Sequence, residues 1–292
     1  EKGYADVILT FKPCEEKGEL EIIEMSGGDA TNTIPNYAYA SIKGDADIIK
    51  KHIENYRNSF LDSNIKVEYS DLTKIEYLGE SCHSSSPEKG RNAITNLCSL
   101  LHGLPLGKSA FTGLIRFVNK YLHNDYYGSN LGFDSSQLYF NNEYIGKTVL
   151  SPTLLHSHAT ETYLNINMRT AYGTILENIS QVFDKYSLEY DYFYQIDSYL
   201  EPLYIKRDLP FLKIMCENYE KVTNQECKFL LAGGTSYAKA MPNTVSFGPV
   251  FDKEEDYCHE PDERISVDNL VKCCKIYALT LANMVFSDEK LI

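Results

Sequence analysis

The sequence predicts a mixed fold: a pseudo-duplicated α+β domain followed by the C-terminal portion of an α/β domain. Residues 4–44 are rich in residues that favour strands, and residues 45–60 and 109–122 place their apolar side chains at helical spacing. Residues 150–200 then repeat the strand–helix–strand order of residues 37–79, which indicates the duplication. The rest of the chain has the pattern helix, strand, strand, helix. Because that pattern is part of a layered α/β core, another segment is needed to cover both faces of its sheet.

The first half of the duplicated domain is predicted from alternating polarity and from residues that cap helices. Its predicted elements are strands Tyr4–Lys12 and Tyr37–Lys43, a helix from Asp45 or Asp47 to Phe60, a hairpin of Ile65–Tyr69 and Lys74–Gly79, and a helix that starts at Pro87 behind the cap Ser86 and carries Ile94, Leu97, Cys98 and Leu101. Residues 123–148 are rich in Tyr, Asn, Gly and Ser, which predicts a loop with short strands.

The second half and the C-terminal part are predicted in the same way. The elements expected there are a strand at Glu161–Arg169, a helix at Thr174–Tyr186, a strand at Tyr190–Ile196, a helix capped by Asp208 that runs to Thr223, two short buried strands at Phe229–Ala232 and Thr244–Phe247 around a glycine-rich turn, and a final helix capped by Asp268.

The composition is that of an acidic protein with an ordinary core. Of 292 residues, 43% are hydrophobic, and 28 Lys and Arg against 41 Asp and Glu give a net charge of −13. No basic patch is visible, so no nucleic-acid partner is expected. No apolar stretch approaches the length of a membrane-spanning helix, so no membrane association is expected. The eight cysteines lack C-x-x-C spacing, which predicts reduced thiols in a cytoplasmic protein.

Two histidines occupy positions where enzymes place functional groups. His259 follows the second short strand in a polar loop with carboxylates close by, where a metal ligand, a base or a solvated loop residue would fit. His83 lies between a strand end and a helix cap among small residues that leave room around its ring. A histidine there can donate to a substrate oxyanion, or it can be a residue of a surface turn.

Several motifs along the chain closely resemble those of PepV-type dipeptidases, members of the aminoacylase/ArgE/DapE metallopeptidase superfamily. The resemblance covers essentially the whole chain. The matching segments are Gly233–Asn243, Phe247–Phe251, Glu254–Asp256 and His259–Glu263 near the C-terminus, and Glu1–Gly3, Asn32–Pro35, His83–Pro87 and Asn165–Arg169 before them.

The resemblance implies a domain division and an activity. Residues 4–200 would form a lid of two α+β halves, and residues 1–3 and 201–292 would be a remnant of the catalytic domain. The complete enzyme would be a cytoplasmic dipeptidase with two zinc ions, in which a glutamate base activates a bridging water. Within this chain His259 would be a zinc ligand, and His83 would reach from the lid to stabilise the tetrahedral oxyanion.

The resemblance also implies how a substrate would be held. Arg169 would bind the C-terminal carboxylate of a dipeptide, because its planar fork matches that anion. Asn32 would add a polar contact. The carboxylate pocket would be lined by Gly234, Thr235 and Ser236. A lid that closes around both ends of a substrate would favour dipeptides over longer peptides.

The sequence departs from the family pattern at the metal site. The family's other ligands lie in a His-x-Asp-x-Val-Pro strand end, a bridging Asp, a Glu-Glu pair and a further Asp, and none of these motifs is present. The chain is therefore expected to be truncated and inactive alone. Two zinc ions are expected in the complete enzyme, with the missing N-terminal catalytic segment as partner, and none need be bound by this chain. A monomer is expected.

Two alternatives remain open at this point. The chain can be a non-catalytic module that keeps the lid's peptide-binding residues without the dinuclear metal site. An unrelated α+β binding protein is the other alternative, against which the C-terminal motif argues.

Overall fold

The computed structural model describes residues 1–13, 16–133, 138–158, 161–251, 257, 262–287 and 291, with the backbone alone for His158. Two compact units divide the chain. Unit 1 comprises Glu1–Leu203 and Leu231–Thr235, and unit 2 comprises Tyr204–Leu230 and Ser236–Ile292. The assignment of residues 4–200 to a lid stays a prediction.

Unit 1 contains all ten strands and four of the six helices of the described chain. The strands are β1 (Tyr4–Phe11), β2 (Leu20–Gly27), β3 (Tyr37–Gly44), β4 (Ile65–Glu68), β5 (Thr73–Leu78), β6 (Tyr139–Phe140), β7 (Glu143–Tyr144), β8 (Val149–His158), β9 (Glu161–Arg169) and β10 (Tyr192–Leu200). The helices are α1 (Ala46–Phe60), α2 (Ala93–Leu101), α3 (Ala110–Tyr121) and α4 (Leu176–Ser187). The prediction of a mixed α and β fold is confirmed.

Eight of these strands form one antiparallel sheet in the order β10-β1-β9-β8-β2-β3-β5-β4. The sheet has two similar halves. In one, α1 connects β3 to β4; in the other, α4 connects β9 to β10. The first strand of the chain, β1, lies between β9 and β10, so it belongs to the second half and not to the first as the sequence pattern predicts.

The two halves meet at a short seam between β2 and β8. Of the described residues, two register pairs join these strands, Ser26 with His156 and Gly27 with Leu155. Beside them the Ser157 hydroxyl accepts from the Met25 amide at 3.1 Å and donates to the Met25 carbonyl at 3.0 Å. A side chain thus takes the place of ladder hydrogen bonds at this point of the sheet.

The two faces of the sheet differ in polarity. In β1 the residues Ala5, Val7, Leu9 and Phe11 are apolar and join a core with the buried faces of the helices. In β9 the residues Leu164, Ile166 and Met168 do the same. Because side chains alternate along a strand, the residues between them point to the opposite face. That second face carries the polar side chains of the site described below.

Unit 2 is built around α5 (Pro210–Thr223) and α6 (Val267–Val285), which pack against each other. Its small core consists of Phe251, Cys273 and Ile276, with further aromatic and aliphatic side chains packed around them. No helix among the described residues has both the length and the apolarity to cross a membrane.

The two short strands predicted around the glycine-rich turn are not formed, and that prediction is wrong. Neither Phe229–Ala232 nor Thr244–Phe247 forms a strand, and Leu230 is 87% exposed. An apolar run forms a strand only where a partner strand satisfies its backbone, and no such partner is among the described residues of this unit.

Three local predictions are also wrong. α2 begins at Ala93, because the side chain of Asn92 accepts from the amides of Ile94 and Thr95 and caps the helix there. Pro87–Lys89 is a separate 3-10 turn. α5 has Leu209, not Asp208, at its N-cap, without a side-chain cap. α6 is capped by Ser266, which accepts from the amide of Asn269, so Asp268 lies in its first turn.

The cysteines depart from expectation as well. Cys216 and Cys227 are joined by a disulfide across 11 residues, so the prediction of reduced thiols is wrong for this pair. Cys82, Cys98 and Cys274 are free thiols. Cys98 is fully buried and behaves as a small apolar residue, as its helix position predicts.

Candidate functional site

Four polar side chains form a compact block on the polar face of the sheet. Tyr4 and Asp6 lie two apart on β1, and Asn167 and Arg169 lie two apart on β9. Asp6 is paired with Asn167 in the antiparallel register, which brings the four side chains together on one face. The block lies at the end of β9, where the strand leaves the sheet.

Hydrogen bonds link the members of this block. The Tyr4 hydroxyl donates to the Asp6 carboxylate, whose other oxygen accepts from Asn167 Nδ2 at 2.9 Å. The Asn167 carbonyl oxygen accepts from Arg169 Nε at 3.1 Å. The Arg169 guanidinium also lies over the Tyr4 ring, 4.8 Å from its centroid. Burial raises the pKa of Tyr4, and the bond to Asp6 raises it further, so the hydroxyl remains a donor.

Arg169 is a buried cation held by neutral acceptors. It is 4% exposed, and its Nη2 donates to the Ser84 hydroxyl at 3.1 Å. Among the described residues no carboxylate forms an ion pair with it. Burial lowers the pKa of Arg169, while Tyr4 and Asp6 raise it, and a guanidinium stays protonated under these conditions. A desolvated positive charge without an ion-pair partner is suited to an anionic ligand.

His83 lies in the turn that leads to Ser84. Its Nδ1 accepts from the Ser85 amide at 3.2 Å and lies 2.7 Å from the Ser85 hydroxyl. Because an amide can only donate, Nδ1 is the unprotonated nitrogen and the neutral ring carries its proton on Nε2. The turn therefore fixes the tautomer in which Nε2–H is a hydrogen-bond donor.

Asn32 lies on a segment that runs antiparallel to this turn. The Ser84 amide donates to the Asn32 carbonyl at 2.9 Å, the Ile34 amide donates to the Cys82 carbonyl at 2.9 Å, and Thr33 and His83 form an isolated bridge. The structure thus brings Asn32, His83 and Arg169 together around Ser84.

The glycine-rich segment is divided between the two units. Residues 231–235 belong to unit 1, where the Lys2 amide donates to the Ala232 carbonyl at 2.9 Å. A Cβ built on Gly233 would lie 3.1 Å from Ser85 Cβ, so the segment runs beside the His83 turn. A Cβ on Gly234 would meet no described atom within 4 Å. Gly234 and Thr235 thus lie in the same unit as Arg169, and Ser236 lies in unit 2.

Ser236 has a local structural role in unit 2. Its hydroxyl accepts from the Ala238 amide at 3.1 Å and lies 2.6 Å from the Ser246 hydroxyl, so it caps a 3-10 turn at Tyr237–Ala240. The predicted contribution of Gly234, Thr235 and Ser236 to a carboxylate pocket stays a prediction.

His259, the predicted zinc ligand, lies outside the described residues. In the described part of the chain, no group of three or more His, Cys, Asp or Glu side chains is arranged to hold a metal ion. The side chains described here do not by themselves fit a dinuclear zinc centre, since each zinc requires several such ligands.

Sequence reasoning missed four residues of the site: Tyr4, Asp6, Ser84 and Asn167. The signal for three of them was present, because the alternation of β1 and β9 places these polar residues opposite the apolar set. An open groove of about 580 Å³ between α4 and β10 contains none of the predicted site residues.

Comparisons with known proteins agree on one family. The sequence model of "Peptidase family M20/M25/M40" matches residues 1–283. The chain is 27% identical over 297 aligned positions to a Beta-Ala-Xaa dipeptidase of Lactobacillus delbrueckii subsp. lactis, covering 99% of this chain and 60% of that protein. It is 26% identical over 283 positions to the putative dipeptidase YtjP of Bacillus subtilis, covering 95% and 59%.

One solved structure supports the fold. The aminoacylhistidine dipeptidase from Vibrio alginolyticus matches with a TM-score of 0.57 and 16% identity, over 97% of this chain and 61% of that one. At this identity the likeness concerns the fold alone. The chain spans about three fifths of the length of the relatives that it matches.

Proposed function

Because this chain belongs to peptidase family M20/M25/M40, we propose that it supplies the lid and the C-terminal catalytic segment of a dipeptidase. The dipeptidases among its relatives support this proposal. The substrate is a dipeptide, and the reaction is hydrolysis of its peptide bond. The observation that carries the proposal is the buried charge of Arg169 beside His83, with which no described carboxylate forms an ion pair.

Arg169 binds the C-terminal carboxylate of the dipeptide in this proposal. Its Nε and Nη2 are held by neutral acceptors, and so a charge remains for an incoming anion. Hydrogen bonds to charged groups contribute about 1.5–3 kcal/mol each, so the carboxylate is a strong anchor on a small substrate. Asn32 adds a polar contact, and the Gly234, Thr235 and Ser236 segment lines the pocket.

His83 stabilises the oxyanion that forms when the peptide carbonyl is attacked. The tautomer fixed by Ser85 leaves Nε2–H as the donor. A preorganised donor of this kind lowers the barrier by about 3–4 kcal/mol in acyl transfer.

For the complete enzyme the proposal includes two zinc ions. His259 is one of their ligands, and the remaining ligands lie on a catalytic segment beyond this chain. The chain alone is proposed to be inactive, monomeric and cytoplasmic, with no nucleic-acid or membrane partner. The alternative is a non-catalytic peptide-binding fragment that lacks the dinuclear metal site. Zinc content and dipeptide hydrolysis measured together separate the two: a chain that binds dipeptides without zinc or turnover supports the alternative.

The substrate-binding part is tested on the chain itself with glycylglycine and glycylglycinamide as probes. The wild-type chain is expected to bind glycylglycine, which has a free carboxylate, about tenfold more tightly than glycylglycinamide, and Arg169→Ala is expected to remove that difference. Arg169→Lys keeps the positive charge but not the planar guanidinium, so its preference for glycylglycine should lie between those of the wild-type chain and Arg169→Ala. The matched control is Arg116→Ala on the exposed face of α3. Equal binding of both probes by the wild-type chain would contradict the proposal.

A further inference from the structure

Ser84 lies between the group that the proposed function assigns to the substrate's C-terminal carboxylate and the group that it assigns to the peptide carbonyl. It directly follows His83 in the chain, and its hydroxyl accepts from Arg169 Nη2 at 3.1 Å. It is 1% exposed, which makes it the most buried residue of the segment 81–86. A buried hydroxyl in contact with a buried cation is held in one place by that contact.

The backbone around Ser84 is also fixed. Its amide donates to the Asn32 carbonyl at 2.9 Å, and the Ser86 amide donates to the His83 carbonyl at 3.0 Å. The turn is therefore attached to the segment of Asn32 on one side and to Arg169 on the other. Ser84 thus connects the Arg169 guanidinium to the turn that carries His83.

The chemistry of the acceptors decides what Arg169 can do. Ser84 and Asn167 are neutral, so they direct Nη2 and Nε without cancelling the charge. The Asp6 carboxylate is linked to Arg169 through Asn167, which donates to Asp6 from Nδ2 and accepts from Arg169 Nε. An acidic residue in direct contact would form an ion pair and compete with an anionic ligand.

We propose that Ser84 is a positioning residue, which holds the Arg169 guanidinium in its receptive orientation and couples carboxylate binding to the placement of His83. The inference rests on the proposed function for its ligand. The orientation of Arg169 by Ser84, on which the inference depends, can be measured without any ligand.

The test uses the whole chain labelled with ¹⁵N-arginine. In the wild-type chain the Nη resonances of Arg169, assigned through Arg169→Lys, should be resolved because rotation of the guanidinium is hindered. Ser84→Ala should merge them, and Ser84→Thr, which keeps the hydroxyl, should restore them. Ser86→Ala is the matched control, since its hydroxyl makes no cap hydrogen bond in the same turn. Thermal unfolding checks that each variant is folded.

The coupling is then followed with the two probes. Glycylglycine should shift the Cε1–H resonance of His83 in the wild-type chain. In Ser84→Ala most of that shift should disappear, and glycylglycine should bind about tenfold more weakly. Ser84→Asp should bind glycylglycine at least tenfold more weakly than the wild-type chain, because the new carboxylate forms an ion pair with Arg169. The inference is overturned if Ser84→Ala keeps both the resolved Arg169 signals and the wild-type His83 shift. If the signals behave as expected but the wild-type chain does not prefer the carboxylate, the proposed function fails and the positioning role stands.

Discussion

The two units of the chain differ in how completely each buries its apolar side chains. Unit 1 has an extensive core in which strands β1 and β9 and helices α2 and α3 are buried on one side. The described residues of unit 2 contain a small core cluster of Phe251, Cys273 and Ile276. Helix α6 leaves large side chains in solvent, and Phe286, just after the helix, is 83% exposed.

This difference shows where stability and binding chemistry reside. The buried charge of Arg169 requires a rigid surrounding, because a desolvated cation is tolerated only where its contacts are fixed. Unit 1 provides such a surrounding with a well-packed sheet behind the site. Unit 2 relies on a disulfide and two helices, so we expect it to unfold independently and at lower denaturant.

The largest expected effect is on the core of unit 1. Phe117 is fully buried, and the rings of Phe11, Tyr121, Tyr190 and Tyr192 lie 5.3–6.2 Å from its centroid. Phe117→Ala should destabilise unit 1 by about 3–5 kcal/mol. The measurement is urea unfolding followed by tyrosine fluorescence. The control Phe286→Ala, in solvent, should change stability by less than about 0.5 kcal/mol; a comparable loss in both variants would erase the contrast between the units.

The next effect concerns the disulfide of unit 2. Replacing Cys216 and Cys227 by Ser removes a link across 11 residues, which should cost about 3 kcal/mol by its loop-closure entropy. The transition of unit 2 should move to lower urea while that of unit 1 stays in place. Cys274→Ser, at an exposed free thiol, is the control. A shift of both transitions together would mean that the units unfold as one.

The smallest effect is at the start of α5. Leu209 holds the N-cap position without a capping side chain, unlike Asp45, Asn92 and Ser109 in unit 1. Leu209→Asp should stabilise unit 2 by about 0.5–1 kcal/mol, since a carboxylate there accepts from the first amides. Its measure is a higher urea midpoint for that unit. Asp208→Ala should change the free energy of unfolding of unit 2 by less than about 0.5 kcal/mol. A larger loss would show that Asp208 caps the helix after all.

Much of unit 1 was predictable from local pattern. The helices with an apolar stripe and the strands with strict alternation appear close to their predicted bounds. The strand β2 was missed because a bulge between Ile22 and Glu24 breaks its alternation. The start of α2 was misplaced because Ser86-Pro87 offers a good helix start, while Asn92 makes the capping bonds.

Some residues of the candidate site could be proposed from the sequence, but their arrangement could not, and their roles stay predictions. Motif resemblance identified His83, Asn32 and Arg169, which the structure brings together. The contact of Ser84 with Arg169 joins residues 85 apart, and no spacing rule signals it. The short strands predicted at Phe229–Ala232 and Thr244–Phe247 do not form, because an apolar run also needs a partner strand, which the local pattern does not reveal.

The seam between β2 and β8 has a mechanical consequence. With two register pairs among the described residues and a serine hydroxyl in place of ladder bonds, this seam is expected to be the weakest line of the sheet. Thermal opening of the sheet should begin there, and amide deuteration should reach Met25 before it reaches the strands on either side. Arg169 lies on one side of this seam and the bridge of His83 with Thr33 on the other, so the Arg169–Ser84 hydrogen bond crosses from one half of the unit to the other.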